Sequence, residues 1–175
     1  MNTFITSRPT TALFAVLAFS VPALSHADSW RYETDVDKIT SKVENTASVT
    51  SDNSLDLPFP YKTDYNHGYL NVRGSGSRPE VLVTINKGQI LCPGYGDGCR
   101  VTVRFDQAPP VRFGAIGPND HSSTAFFIHD AKRFVALASK AKKILVQFTM
   151  YNAGNQTLEF SPTTPLVWGT AAKKK

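Results

Sequence analysis

Short segments in which apolar and polar side chains alternate constrain the fold of this chain more than any other feature. In residues 100–106, three apolar side chains face one side and four polar side chains face the other, as in a strand with one buried face. Residues 143–151 repeat the alternation, and residues 80–86 are β-branched and apolar on both faces, which is typical of a buried central strand. These segments predict an antiparallel sheet with a buried interior.

Weaker strand signals run along the rest of the chain, separated by clusters of Gly, Pro, Asn and Asp that favour turns. The shorter candidate strands are residues 47–50, 55–59, 69–73, 89–91, 111–113, 125–129 and 157–160. Short strands at this spacing predict a mainly β fold, an antiparallel β-sandwich or open barrel of about 8–10 strands.

One segment departs from the strand pattern. Phe134, Leu137 and Ala138 recur at helical spacing, so one short helix is predicted near residues 130–141. Asp130 is the predicted N-cap, with its carboxylate accepting the free amides of the first turn. We expect the apolar face of this helix to pack over one end or edge of the sheet.

The N-terminus has the layout of a secretory signal peptide. One cation, Arg8, precedes an apolar run at residues 12–19, and the small-x-small sequence Ser25-His26-Ala27 follows. The apolar run is shorter than the roughly 20 residues that a membrane-spanning helix needs. We therefore predict a signal peptide at residues 1–27, a single β domain at residues 28–170, and a periplasmic or secreted protein without a membrane span.

The net charge of +5 is concentrated near the ends of the chain. Arg8 leaves with the signal peptide, and Lys173, Lys174 and Lys175 supply three of the four net charges that remain. We predict a disordered basic tail at residues 171–175 behind a nearly neutral folded body. A neutral body on an exported protein does not favour nucleic-acid binding.

Two cysteines, the only ones in the chain, bracket the glycine-rich sequence Pro-Gly-Tyr-Gly-Asp-Gly: Cys92 and Cys99. We predict a structural disulfide at the neck of a hairpin whose second strand starts at Cys99. Closing this short loop should contribute about 2.5 kcal/mol. A redox-active dithiol usually has two intervening residues, and a zinc site would need two more soft ligands that the neighbouring sequence lacks. No metal and no cofactor are predicted.

Tyrosines supply the candidate binding residues. Tyr95 lies between glycines at the tip of the stapled loop, with Asp97 nearby, and an aromatic side chain on a rigid loop is a typical recognition anchor. Tyr61, Tyr65 and Tyr69 cluster around a polar loop, which favours contact with proteins or sugars. The alternative is that these side chains pack back onto the sheet, and the sequence leaves that alternative open.

The sequence contains no convincing catalytic constellation. Asp120, His121, Ser122 and Ser123 offer an acid, a base and nucleophiles, but adjacent residues cannot align as a triad. The sequence Gly-x-Ser-x-Gly of a nucleophile elbow is absent, and the carboxylates are scattered. No catalytic residue is predicted, and a non-enzymatic role is favoured.

Several motifs together resemble a known group of proteins. They are Trp30-x-Tyr32, Pro60-Tyr61, the segment 88–106 with both cysteines, and Leu166-x-Trp168. The chain resembles small exported β-sandwich proteins of Gram-negative bacteria and their prophages, mostly without assigned function. It is more distantly similar to the invasion-associated locus B proteins. The resemblance implies an exported β-sandwich-like domain with a structural disulfide, and it implies no catalytic residues.

Three functional hypotheses follow. The first is an exported, non-enzymatic interaction module of the bacterial envelope that recognises a protein or an envelope component. The second is a hydrolase acting on a glycan or a peptide through acids that the fold brings together. The third is an immunity or inhibitor-like factor of a mobile element.

Overall fold

The computed structural model describes residues 29–75 and 78–169. The predicted signal peptide (1–27) and basic tail (171–175) lie outside the described residues. In the described part, the elements in chain order are β1 (Arg31–Val36), β2 (Val43–Ser54), β3 (His67–Gly74), β4 (Glu80–Ile85), β5 (Cys99–Phe105), β6 (Val111–Ile116), β7 (Ala125–Ile128), α1 (Ala131–Ala138), β8 (Ile144–Met150) and β9 (Gly154–Phe160).

All nine described strands belong to one antiparallel sheet. Their order across the sheet is β1-β2-β3-β4-β7-β6-β5-β8-β9, and the sheet is not closed by a continuous ladder between β9 and β2. The predicted mainly β class, with about 8–10 antiparallel strands and one short helix, is therefore confirmed.

The core lies on the inner face of this curved sheet, and the alternation in the sequence predicts it correctly. Val101 and Val103 of β5 are buried, while the polar side chains between them face outward. Every second residue of β8 from Ile144 to Met150 is also buried. In β4 the inner Val81 and Val83 are fully buried, and Leu82 is half-buried on the outer face.

Asn53 joins the end of β2, beyond its pairing with β1, to the edge strand β9. Its Nδ2 donates a hydrogen bond to the carbonyl of Thr157 (2.9 Å), and its Oδ1 accepts one from the amide of Glu159 (2.8 Å). Thr157 and Glu159 belong to β9, which is far from β2 in the strand order. A side-chain amide carries the same donor and acceptor as a peptide group, so Asn53 supplies the pairing that the backbone of β2 does not make there.

The predicted helix is confirmed and lies over one end of the sheet. Phe134 is fully buried, and its ring meets the rings of Phe105 and Phe113 edge-on, with centroids 5.4 and 5.8 Å away. The predicted cap is wrong, because Asp130 has a left-handed backbone (φ 53°) and its side chain makes no capping hydrogen bond. A capping side chain requires an extended backbone at that residue to reach the first-turn amides.

The antiparallel register places the connections between the strands at two opposite ends of the sheet. Pairs such as Arg73–Glu80 and Val81–Ile128 place α1 beside the β1–β2, β3–β4 and β5–β6 turns, and we call this the helix end. Pairs such as Ser54–His67 and Thr84–Ala125 place the remaining connections at the opposite, loop end. The loop end comprises residues 55–66, 86–98, 117–124 and 151–153.

Three strand assignments differ from the sequence prediction. Residues 55–59 form no strand, and within residues 89–91 only Ile90 makes a β-bridge. β1 was not predicted, because all six of its side chains are exposed and give no alternating pattern. No helix among residues 29–75 and 78–169 is long and apolar enough to cross a membrane.

The Asn53 bridge gives the first prediction. Asn53→Ala removes two hydrogen bonds to backbone groups, and we expect the free energy of unfolding to fall by about 1–2 kcal/mol. Urea denaturation followed by circular dichroism measures this. Asn71→Ala is the matched control, because Asn71 is also half-buried in the sheet but its side chain makes no hydrogen bond within the described chain. Equal losses in the two variants would contradict the role given to Asn53.

Candidate functional site

A short segment inserted beside β8 organises the loop end. The pairing of β5 with β8 ends at Thr102 and Gln147. Beyond that pair, residues 89–91 lie beside β8 in place of β5. The amide of Leu91 donates to the carbonyl of Thr149 (2.9 Å), and the carbonyl of Gln89 accepts from the amide of Tyr151 (2.8 Å). Backbone hydrogen bonds therefore hold residues 89–91 in the sheet although they form no named strand.

The predicted disulfide between Cys92 and Cys99 is present, with the Cα atoms 4.9 Å apart. Its predicted position at a hairpin neck is wrong, because β7 and β6 separate β4 from β5 in the sheet. Among the described residues, β5 pairs with β6 and β8, whereas the β-bridge of residues 89–91 joins Ile90 to Met150 of β8. The disulfide instead ties the inserted segment to the first residue of β5.

The stapled loop, residues 92–99, is seated closely on the β6–β7 connection. The amide of Gly117 donates to the carbonyl of Pro93 (3.0 Å), and a Cβ atom on Gly117 would lie 2.3 Å from the carbonyl oxygen of Cys92. Such an approach requires glycine. Tyr95 projects from this seated loop with 74% of its surface exposed, and Asp97 is exposed as well.

A groove of about 310 Å³ runs beside the stapled loop. One wall is formed by residues 89–95, which include Tyr95, and the other by Pro118, His121, Ser122 and Ser123. The groove thus combines an exposed aromatic ring with hydroxyl and imidazole groups. Such a mixture is suited to holding a chain segment or a small polar ligand.

The residues around His121 are arranged as a polar turn. The Asp120 carboxylate accepts a hydrogen bond from the backbone amide of Ser122 (3.0 Å). The Ser122 hydroxyl lies 3.1 Å from the Thr124 hydroxyl. The acid and the nearest hydroxyl are therefore engaged locally, and neither is aligned with the His121 imidazole as a triad requires.

Asn66 fixes the neighbouring loop, residues 55–66. Its side chain is fully buried and forms two hydrogen bonds with the backbone of Lys87, from Nδ2 to the carbonyl (2.9 Å) and from the Lys87 amide to Oδ1 (3.0 Å). The Asn66 carbonyl also accepts from the amide of Leu55 (2.9 Å). Asn66 consequently ties this loop to the start of the 86–98 connection.

The structure separates the three tyrosines predicted to act together. Tyr65 is 76% exposed at the loop end, whereas Tyr61 is partly buried against the core. Tyr69 lies within β3, paired with Thr50 and Thr84 in the neighbouring strands. Of this set, Tyr65 alone is a strongly exposed aromatic side chain in the loops.

Other exposed side chains at this end were missed. Phe59 is 91% exposed, and Leu91 and Tyr151 are about half exposed. Phe59 stands between Pro58 and Pro60, which cannot donate to a strand ladder, so the sequence did carry a signal that this ring is in a loop. The exposure of Leu91 and Tyr151 depends on their pairing beside β8 and has no such signal.

Five large exposed side chains therefore share the loop end, and we call them the aromatic surface: Phe59, Tyr65, Leu91, Tyr95 and Tyr151. The charges around this surface are mainly negative. Four carboxylates occur in the loops of this end, at Asp56, Asp64, Asp97 and Asp120, against the two ammonium groups of Lys62 and Lys87.

A second groove, of about 430 Å³, lies on the outer face of β4, β7 and β6. The Arg73 guanidinium is bonded to the Glu80 carboxylate (3.0 Å) and lies 5.5 Å from the centre of the Phe127 ring. Asp130 is the other acid that lines this groove. Within the described ranges, no group of three or more His, Cys, Asp or Glu side chains could hold a metal ion.

Comparisons of the chain with protein-family models, curated proteins and solved structures find no match. The resemblance to small exported β-sandwich proteins of Gram-negative bacteria stays a prediction.

The disulfide gives the second prediction. Replacing both cysteines by alanine should lower the free energy of unfolding by about 2.5 kcal/mol, because the unfolded chain regains the entropy of an open loop. Urea denaturation of the oxidised protein and the variant measures the difference. Adding a reductant should destabilise the native chain similarly and leave the double variant unchanged. An effect of the reductant on the double variant would contradict this explanation.

Asn66 gives the third prediction. Asn66→Ala removes two partly buried hydrogen bonds to the backbone of Lys87, which should cost about 1–3 kcal/mol of stability. Amide hydrogen exchange should also accelerate in residues 55–66 and 86–91 before it does in β5. Asn86→Ala is the control, because Asn86 is exposed and its side chain donates one long hydrogen bond, to the Tyr65 carbonyl (3.3 Å). Uniform acceleration across the sheet would refute a local role for Asn66.

Proposed function

We propose that the protein is a non-enzymatic binding module of the bacterial envelope, and that it engages a protein partner through the aromatic surface of its loop end. The observation that carries this proposal is the convergence of Phe59, Tyr65, Leu91, Tyr95 and Tyr151 on one end of the sheet. Clustered exposed apolar side chains commonly mark interaction sites, and tyrosine is a frequent anchor in interfaces.

The rigidity of the backbone beneath this surface supports the proposal. The Cys92–Cys99 disulfide holds the loop of Tyr95, and buried Asn66 holds the loop of Phe59 and Tyr65. A binding surface that is ordered before contact loses less conformational entropy when the partner arrives. The acidic surroundings favour a partner whose apolar contact patch is bordered by basic residues.

An exported location is part of the proposal. The N-terminal layout of a signal peptide supports it, and a disulfide is compatible with the oxidising conditions of the periplasm or the extracellular space. A partner in the same compartment, such as an envelope protein, follows from this location.

The two alternatives have less support. A hydrolase would need two acids facing a substrate, and in the outer groove one of the two acids, Glu80, is already bound by Arg73. An inhibitor-like factor could use the same aromatic surface to block its target protein. That alternative differs from the proposal in the consequence of binding, and it stays a prediction.

The fourth prediction tests the aromatic surface. A triple variant, Phe59→Ser, Tyr65→Ser and Tyr95→Ser, should lose affinity for the partner by about 30-fold or more, because removing an anchor residue typically costs about 2 kcal/mol or more. Affinity capture from an envelope extract of the source bacterium supplies the partner, and titration calorimetry gives the affinities.

Val167→Ser is the control, because Val167 is 56% exposed but lies in the C-terminal segment outside the aromatic surface. This variant should bind like the native chain. Recovery of no partner by the oxidised native protein, or equal affinity of the triple variant, would refute the proposed site.

A further inference from the structure

The tip of the β1–β2 hairpin exposes aliphatic side chains at the helix end. Ile39 is 94% exposed, and Val36 and Val43 at the hairpin base are about half exposed. Lys38 and Lys42 stand on either side of Ile39 in the tip. Exposing a whole isoleucine side chain to water is unfavourable by about 1.5–3 kcal/mol relative to burying it, so this tip is suited to entering an apolar medium.

The tip is held in shape by its one carboxylate. Oδ1 of Asp37 accepts hydrogen bonds from the amides of Ile39 (3.0 Å) and Thr40 (2.6 Å) and from the Thr40 hydroxyl (2.8 Å). Hydrogen bonds from the Thr40 amide and hydroxyl and from the Ile39 amide hold the pKa of Asp37 below its ordinary value. The carboxylate therefore organises the tip instead of forming an ion pair with Lys38 or Lys42.

The rest of the helix end is basic in total, although Glu80, Asp106, Asp130 and Glu159 also lie there and Asp35 and Glu44 flank the tip. Its cations outside the tip include Arg104, Arg112, Lys132, Arg133, Lys140 and Lys142. The ion pairs of the described chain join Arg73 to Glu80 and Lys143 to Glu159, so none of these six cations is paired with a carboxylate of the described residues. The Asp106 carboxylate is engaged by the backbone amides of Lys142 and Lys143.

One cation in this group has an unsatisfied donor. The Nε atom of Arg104 is buried and has no hydrogen-bond partner, and Arg112 lies on the adjacent strand opposite Thr102, two residues from Arg104 along β5. Guanidinium groups bind phosphate with two parallel hydrogen bonds.

We propose that the helix end docks on a bilayer containing anionic phospholipids, with its cations against the headgroup phosphates and Ile39 inserted at the interface. Basic residues around an exposed aliphatic side chain are the combination that such an interface attracts. A nucleic acid would use the cations but has no place for the aliphatic tip, since bases stack on aromatic rings. None of these cations lines either of the two grooves described above.

Docking of the helix end on a bilayer goes beyond the proposed partner site and is independent of it. A bilayer at the helix end would leave the acidic loop end, with its aromatic surface, pointing away from the anionic lipid. The proposal for each end can therefore be refuted by experiment without affecting the other.

Sedimentation with vesicles of phosphatidylcholine, with and without phosphatidylglycerol, tests the proposal on the full chain. The native protein should bind the vesicles that contain phosphatidylglycerol. Ile39→Ser should weaken this binding about tenfold through the lost apolar burial. Lys38→Gln with Lys42→Gln should weaken it about 25-fold, at roughly fivefold for each charge.

Two control variants distinguish the contribution of the tip to vesicle binding from that of charge or apolar surface elsewhere on the protein. Lys62→Gln with Lys87→Gln removes the same charge at the loop end, and Val167→Ser removes an exposed apolar side chain away from the tip. Both should bind within about threefold of the native chain, because charges farther away than the Debye length are screened. A loss as large as that of the tip variants would overturn the proposal.

A spectroscopic readout keeps the test independent of variant stability. The described chain has no free cysteine, so an environment-sensitive dye on Ile39→Cys reports the tip alone. Its emission should shift to the blue with anionic vesicles, whereas the same dye on Asp64→Cys at the loop end should not respond. Three outcomes would each refute docking on the bilayer. The first two are a dye response at Asp64 instead of Ile39 and binding of duplex DNA equal to that of the vesicles. The third is displacement from the vesicles by inorganic phosphate that exceeds displacement by sodium chloride of equal ionic strength.

Discussion

A single sheet with one apolar face must curve so that its own strands shield that face from water. The arrangement of the other elements follows from this requirement. The inner side chains of β4, β5 and β8 are almost completely buried, although the described strands form no second sheet against them. Curvature brings β2 and β9 together, and the side chain of Asn53 bridges the two strands. The remaining opening at one end is covered by α1, where Phe134 packs against Phe105 and Phe113.

Curving the sheet in this way leaves two ends with different chemistry. One end is built from turns and α1, and its cations are largely unpaired by acids of the described chain. The other end is built from longer loops that are tied together by a disulfide and a buried amide. The near-neutral charge of the folded body conceals this asymmetry, because opposite charges at the two ends cancel in the total.

Local patterns in the sequence predict the parts of the fold that depend on local packing. The alternation in β5 and β8 identifies both the strands and their buried faces. β1 gives no signal because neither of its faces is buried. Residues 55–59 have the alternating pattern of a strand because Leu55 and Leu57 are both buried. The side chain of Asn66 fixes this loop, and no β-ladder does.

The candidate site was predictable only in part for the same reason. Tyr95 and the disulfide lie within eight residues of sequence, so their association is local. Leu91 and Tyr151 meet because residues 89–91 pair with the end of β8, more than fifty residues away along the chain. Contacts between distant segments leave no periodic trace in either segment.

Residues 89–91 also make the loop end depend on distant parts of the chain. Hydrogen bonds join this segment to Ser123 on one side and to Thr149 and Tyr151 on the other, so its full set of bonds forms only when β8 is in place. The disulfide closes within a short loop and needs no such partner. The disulfide therefore depends on local sequence, whereas the end of the molecule that carries Tyr95 depends on β8 as well.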